Sequence, residues 1–262
     1  QYMVSIDLSN FDSSKIDNMN SMFYGCSSLK SLDLSNFDSS ETVNMNSMFY
    51  GCSSIESLDL SNFITSSVTD MSSMFKESSS LKFINLSNFI TSKVTKMNSM
   101  FYGCDKLEYL DLFNFDGSET VDMNSMFYGC RSLKSIDLRN FQTTKVTNMK
   151  NLFNDCANLK ILFINEFNIL TNTATENMFF NVINLEYLGI DNVKDANTII
   201  GNSPLNSLND LIVCQSEKLI TNSGARNICC SFYDMEEKLC KSDNYITLNY
   251  NESSDFSYDS GF

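Results

Sequence analysis

Apolar and polar positions along residues 1–193 repeat with a step of 26 that carries no insertion or deletion. Phe23, Phe49, Phe75, Phe101, Phe127, Phe153 and Phe179 keep that step, as do Met19, Met45, Met71, Met97, Met123 and Met149. A third column holds Ile6, Leu32, Leu58, Ile84, Leu110, Ile136, Leu162 and Leu188, and a fourth runs from Phe11 through Phe37, Phe63, Phe89, Phe115, Phe141 and Phe167 to Val193. A fixed period of this length is the signature of stacked repeat units, none of which encloses its own apolar face alone.

Two periodicities share each unit. In Met45-Asn46-Ser47-Met48-Phe49-Tyr50-Gly51-Cys52 the apolar residues fall at i, i+3, i+4 and i+7, which predicts a short helix, partly 3₁₀, with Met45, Met48, Phe49 and Cys52 on one face. Leu58-Asp59-Leu60 alternates in, out, in, the period of a half-buried strand. The Ser, Asn and Thr residues between them favour turns. The predicted fold is therefore an α/β repeat solenoid of leucine-rich-repeat type. Parallel strands occupy one face and short helices or 3₁₀ turns the other. Eight strand copies at about 4.8 Å give a sheet roughly 35 Å long. Each unit sends inward side chains such as Met45, Met48, Phe49, Ile55, Leu58, Leu60 and Phe63. At roughly 1.5–3 kcal/mol per large buried side chain, these outweigh weak local propensities.

The pattern decays after Phe153. Asp137 gives way to Phe163 and then Gly189, and Leu208, Leu211 and Val213 form one more strand after a 23-residue step. Two regions follow: a solenoid over 1–213 and a cysteine-containing C-terminal cap with a polar tail over 214–262, which would cover the last open core layer.

The string Val-Thr-Asp-Met-Ser-Ser-Met-Phe at 68–75 resembles the 26-residue repeat of BspA-like surface proteins. So does Met-Phe-Tyr-Gly-Cys-Ser-Ser-Leu-Lys-Ser-Leu-Asp-Leu-Ser-Asn-Phe at 22–37. The resemblance covers about residues 1–193. It implies a leucine-rich-repeat-type solenoid, secreted or cell-surface placement, and adhesion to proteins of a host or a neighbouring cell. It brings no catalytic residues with it and does not extend to the cysteine-bearing tail.

Composition narrows the function classes. With a formal net charge of −14, the chain is poorly suited to nucleic acid or an anionic membrane surface. No apolar run approaches the roughly 20 residues of a membrane span. The chain has no His, so a Ser-His or Cys-His nucleophile is excluded, and no phosphate-binding loop is present. The expectation is a non-enzymatic protein without cofactor or metal.

Candidate sites come from columns that vary. Cys26, Cys52, Cys104, Cys130 and Cys156 share their slot with Ser78 and Val182, which suits a small buried filler. Helices side by side at about 8–10 Å would also keep these thiols too far apart to bond. In the tail, Cys214, Cys229, Cys230 and Cys240 are expected to form two disulfides; a zinc site is disfavoured, since no C-x₂-C spacing accompanies them. Asp33, Asp59, Asp111 and Asp137 form an outward acidic column with Asp7 and Asn85. Local hydrogen bonds with solvent screening explain it, or a cationic ligand does. Lys30, Glu56, Lys82, Glu108, Lys134, Lys160 and Glu186 run beside it with largely alternating sign, as inter-unit pairs would. Asn10, Asn36, Asn62, Asn88, Asn114 and Asn140 predict an inward amide ladder that serves turn backbone groups. Phe83, Tyr109 and Tyr187 occupy outward strand positions that hold Ser elsewhere, and Phe113 extends the group as an apolar patch. Tyr24, Tyr50, Tyr102 and Tyr128 form a second stripe, read as edge packing. Asn85 and Asn251 head N-x-[ST] sequons, with the tail one more accessible.

Two functional expectations follow. In one, an extracellular or cell-surface module binds a protein or glycan through its sheet face. In the other, the chain is a subunit of an extracellular fibre or sheath, because the sequence opens on an uncapped strand that invites pairing with copies of itself.

Overall fold

The computed structural model describes residues 3–190, 193, 204–208 and 211–214. The chain divides into two compact units, Gln1–Cys229 and Cys230–Phe262, and every described residue lies in the first. Of the expected cap over 214–262, only the backbone of Cys214 falls among the described residues.

Every strand pair is parallel. β1 (Ser57–Asp59) pairs with β2 (Phe83–Asn85). β3 (Ser135–Asp137), β4 (Ile161–Phe163), β5 (Tyr187–Gly189) and β6 (Ile212–Cys214) form a second sheet in chain order. Registers such as Leu58↔Ile84 and Ile136↔Leu162 match residues 26 apart, so the sequence period is the pairing register. The last step, Leu188↔Val213, is 25 residues, one shorter than the rest and not the 23 expected. Leu58, Ile84, Ile136, Leu162 and Leu188 point inward and are buried. The expected continuous ladder of eight strands is not formed. The units containing Leu32 and Leu110 carry no strand, and between β2 and β3 the adjacent units are joined by Lys134 N–H donating to Glu108 C=O at 3.1 Å.

The opposite side of each unit corrects the helix expectation. The segment Met45–Cys52 is a run of turns, and the Pro204–Ser207 3₁₀ turn is the one helical element among the described residues. Met48, Tyr50 and Cys52 donate back to Met45, Ser47 and Phe49 within the unit. The intervening amides of Met45, Ser47, Phe49 and Gly51 donate instead to Asp70, Ser72, Met74 and Lys76 of the next unit, at 2.7–2.9 Å. Aiming alternate amides along the stack requires left-handed residues, and two occur per unit. Ser47 (φ 54°) and Gly51 (φ 69°) are one pair; Ser73 with Glu77 and Asn151 with Asp155 are others. A left-handed L-residue costs about 1–2 kcal/mol. From Ser21 to Asp155, each such amide makes an inter-unit hydrogen bond that offsets this cost. Just before this segment, parallel bridges run without a break from Asn18 through Asn44, Asp70, Lys96, Asp122 and Asn148 to Ala174.

Inside, the Phe column is a stack of rings from Phe23 to Phe179, with centroids 5.4–5.9 Å apart and planes within 15°. The Met column fills the space beside it, fully buried from Met19 to Met149. A buried hydroxyl ladder, which periodicity did not reveal, closes the corner after the inward Phe. Thr65 Oγ1 donates to Ile90 C=O at 3.0 Å and accepts Ile90 N–H at 2.7 Å; Ser39, Thr91 and Thr143 repeat the exchange with the next unit. Gly117 interrupts the ladder, because the Phe141 ring fills the place a Cβ would take.

Candidate recognition surface

The outward face of the strands is polar and locked. Each Asp of the acidic column folds back on its own turn. Asp7, Asp33, Asp59, Asp111 and Asp137 accept the backbone N–H two residues on at 2.9–3.0 Å, and Asn85 does the same from Ser87 at 3.1 Å. For Asp7 and Asp33 the backbone amides of Ser9 and Ser35 hold the carboxyls below the ordinary range. Arg139 adds a forked pair of bonds to Asp137. Local hydrogen bonds thus engage each side chain of the column, and among the described residues no group of three or more Cys, Asp or Glu is placed to hold a metal ion.

Ion pairs brace this face between units. Lys82 meets Glu56 at 2.7 Å, Lys134 meets Glu108, and Lys160 meets Glu186 at 2.7 Å. The Lys82 ammonium draws the Glu56 carboxyl below its usual range, and the hydrogen bond that Lys134 donates to Glu108 raises the Lys134 ammonium. All of these partners are solvent-exposed or half-exposed, so screening by water leaves each pair a small contribution. The Asn column does serve turn carbonyls: Asn88 Nδ2 donates to Ser61 C=O at 2.6 Å and Asn114 Nδ2 to Ser87 C=O at 2.7 Å. It is exposed, however, and not inward as expected; it clips one turn to the last from outside.

Against this committed background three aromatic side chains stand free of the core. Phe83 is 47% exposed, Tyr109 53% and Phe113 66%. Phe83 and Tyr109 hold the same outward position in successive units, and Phe113 follows the turn that Asp111 closes by accepting its N–H. Lys134 Nζ lies 5.3 Å from the Tyr109 ring centroid. Phe83 opens β2, and Tyr109 and Phe113 lie in the following unit, where the strand ladder lapses between β2 and β3.

Tyr187 does not join them. It is buried, with its ring 5.2 Å from Phe163 and tilted 53° to it. The cause lies in the neighbouring column: Phe163 replaces an Asp, and Gly189 lacks the Cβ that would come within 2.6 Å of the Phe163 ring. The aromatic ring thus lies over the strand beside Tyr187, and all three residues of β5 are buried.

The expected thiol separation also needs correction. The turn segments are not helices 8–10 Å apart but are joined by backbone bonds such as Gly25 N–H to Tyr50 C=O at 2.7 Å, near strand spacing. The five repeat cysteines are free nonetheless. Cys52, Cys104, Cys130 and Cys156 each turn Sγ to a Phe carbonyl 29 residues earlier, at 3.1–3.2 Å; Ser78 Oγ makes the same bond to Phe49 at 2.9 Å. Burial pushes the Cys52 and Cys130 thiols up to about 12, and Cys104 and Cys156 well above their ordinary value. Thiols held protonated are poor nucleophiles and poor metal ligands.

The sequon residue Asn85 is half-buried in β2, with Oδ1 committed to Ser87. Cys229, Cys230, Cys240 and Asn251 lie outside the described residues, as does the side chain of Cys214. No helix among the described residues is long and apolar enough to cross a membrane.

On the turn side, the tyrosine stripe is ordered in pairs that periodicity alone did not show. Tyr24 stacks on Tyr50 and Tyr102 on Tyr128, both at 4.6 Å between centroids. Lys76 takes the intervening place, its Nζ 5.7 Å from the Tyr50 centroid and 4.5 Å from that of Tyr102. The signal for it was one departure from the column, Lys76-Glu77-Ser78 in place of Tyr-Gly-Cys.

No curated protein matches the chain. The family model described as "Mycoplasma protein of unknown function, DUF285" matches twice, over residues 2–84 and 78–192. Together the two matches span most of the chain and the whole stretch of regular 26-residue units, so the chain belongs to the DUF285 family.

Proposed function

We propose that the chain is a leucine-rich-repeat-like solenoid of the BspA-like surface type, which does no chemistry and binds a protein or glycan of a cell surface or matrix through its strand face. The observation that carries this reading is the exposed triplet Phe83, Tyr109 and Phe113 on a face whose neighbouring positions are mostly Ser, turn-locked Asp and paired charges. Aromatic anchors in polar surroundings are where binding energy concentrates. The surrounding groups are already committed: the Asp carboxylates to turns, and Glu56–Lys82 and Glu108–Lys134 to each other. A partner would therefore desolvate rings and leave the neighbouring charges paired. The reading places the protein outside the cell, where such a face meets partners.

The test is a binding screen of the full chain against matrix proteins and glycan arrays, repeated with the Phe83→Ser/Tyr109→Ser/Phe113→Ser variant. A loss of tenfold or more in affinity at unchanged melting temperature is expected, about 1.4 kcal/mol or more. Undiminished binding by the triple variant would contradict this assignment of the face. Filaments in negative-stain images of the same sample would favour the fibre-subunit reading in its place.

A further inference from the structure

We propose that the tyrosine stripe on the turn side is an oxidative cross-linking site, at which Tyr24 couples to Tyr50 and Tyr102 to Tyr128 as dityrosines within one molecule. This inference stands independently of the recognition reading. In each pair the ring centroids are 4.6 Å apart, and the planes lie within 15° for Tyr24–Tyr50 and 6° for Tyr102–Tyr128. The two members of a pair hold equivalent places in successive units. Their backbones are tied by Gly25 N–H to Tyr50 C=O at 2.7 Å and Gly103 N–H to Tyr128 C=O at 2.8 Å. Parallel stacking from equivalent positions sets the rings head to head, so the carbons ortho to one hydroxyl face those of the other.

Access distinguishes these rings from the core stack. Tyr24 is 55% exposed, and Tyr50, Tyr102 and Tyr128 are half-buried, so an oxidant reaches the phenols from solvent. The same solvent side leaves room for the rings to swing from stacked to edge-joined. Lys76 stands between the pairs, against both Tyr50 and Tyr102, and limits coupling to one link on either side of it. Tyr109 faces Phe83 and Ser135 in the neighbouring units and so has no tyrosine to couple with there.

The co-reactant is hydrogen peroxide acting through a haem peroxidase. Each of two phenols loses one electron and its hydroxyl proton. The two phenoxyl radicals join ortho carbon to ortho carbon, and each displaced ring hydrogen moves to its own phenol oxygen, which restores both aromatic rings. The two electrons and two protons released reduce one peroxide to two waters. The product ties neighbouring units covalently where otherwise only non-covalent contacts join them.

The experiment treats the dilute full chain with peroxidase and peroxide, then combines intact mass, dityrosine fluorescence and peptide mapping of the monomer fraction. The expected result is loss of two hydrogens per link and two cross-linked peptide pairs, 24–50 and 102–128. Tyr50→Phe should keep only the second link and Tyr102→Phe only the first. Both variants should melt as the parent does, since a phenylalanine stacks equally well. If the monomer carries no dityrosine while free tyrosine couples in the same reaction, the inference is overturned. It is equally overturned if the links join molecules to each other, or fall on other tyrosines with the same yield folded and in urea.

Discussion

The two sides of the repeat unit solve the same stacking problem differently. On the turn side, parallel bridges and amides such as those of Met45, Ser47, Phe49 and Gly51 join one unit to the next from Asn18 to Ala174 without a break. On the strand side, the ladder exists between β1 and β2 and again from β3 to β6, and lapses between them. The continuous side tolerates almost no change in its inward Met and Phe columns, whereas the interrupted side carries Phe83, Tyr109 and Phe113 where other units carry Ser. Cohesion supplied by one side leaves the other free to vary, and variable positions on a rigid frame are where recognition usually resides.

The sharpest way to break this division is to remove a ring from the continuous side. Phe75 sits between Phe49 and Phe101 at 5.6 and 5.5 Å, fully buried. Phe75→Ala should cost about 3–5 kcal/mol in chemical denaturation, by lost transfer energy and an unfilled cavity. Gly117→Ala comes next. Its new methyl group would meet the Phe141 ring and the Gln142 carbonyl, and overpacking of this kind costs about 1–3 kcal/mol. A shift in melting temperature no larger than that of a surface substitution would show that the Phe141 ring gives way.

The buried thiols offer a pH-dependent contrast. The folded state holds Cys52 and Cys130 protonated up to about 12, whereas the unfolded thiol ionises near its ordinary value of 9.0. Between those values the unfolded chain binds fewer protons, so stability should fall as pH rises through that window. Urea midpoints measured from pH 8 to pH 11 check the slope. Substituting Cys130→Ser should flatten it. At neutral pH the same change should cost about 1 kcal/mol or less, because Ser78 already fills the equivalent slot with the same hydrogen bond. The smallest stability effect is expected on the strand face, where Phe113→Ser should stay within about 0.5 kcal/mol of the parent.

Much of the frame was legible in the sequence because a solenoid-like period writes each core contact many times. The Leu58 and Phe49 columns, the parallel register of 26 and the Glu56–Lys82 pair all follow from spacing. The turn runs were not legible as such, since i, i+3, i+4, i+7 spacing serves a helix and a chain of overlapping turns equally. What separates the two is hydrogen bonding to the neighbouring unit. The trace of it was the column Gly25, Gly51, Gly103, Gly129, Asp155, Asn181, residue types that accept a left-handed backbone. Tyr187 was misread because its exposure depends on two other columns, the ring at Phe163 and the missing Cβ at Gly189. The Asp column faces outward, as its alternation implied, and its carboxyls accept the local turn amides.

Residue-resolved amide hydrogen exchange separates the two sides of the stack. If the turn side holds the stack together, the amides of Ser47, Phe49, Ser73, Phe75, Ser99 and Phe101 should exchange only through global unfolding, while those around Tyr109–Leu112 exchange faster. Uniformly slow exchange along the strand side, with fast exchange at Ser47, Ser73 and Ser99, would show that the strand side holds the stack instead.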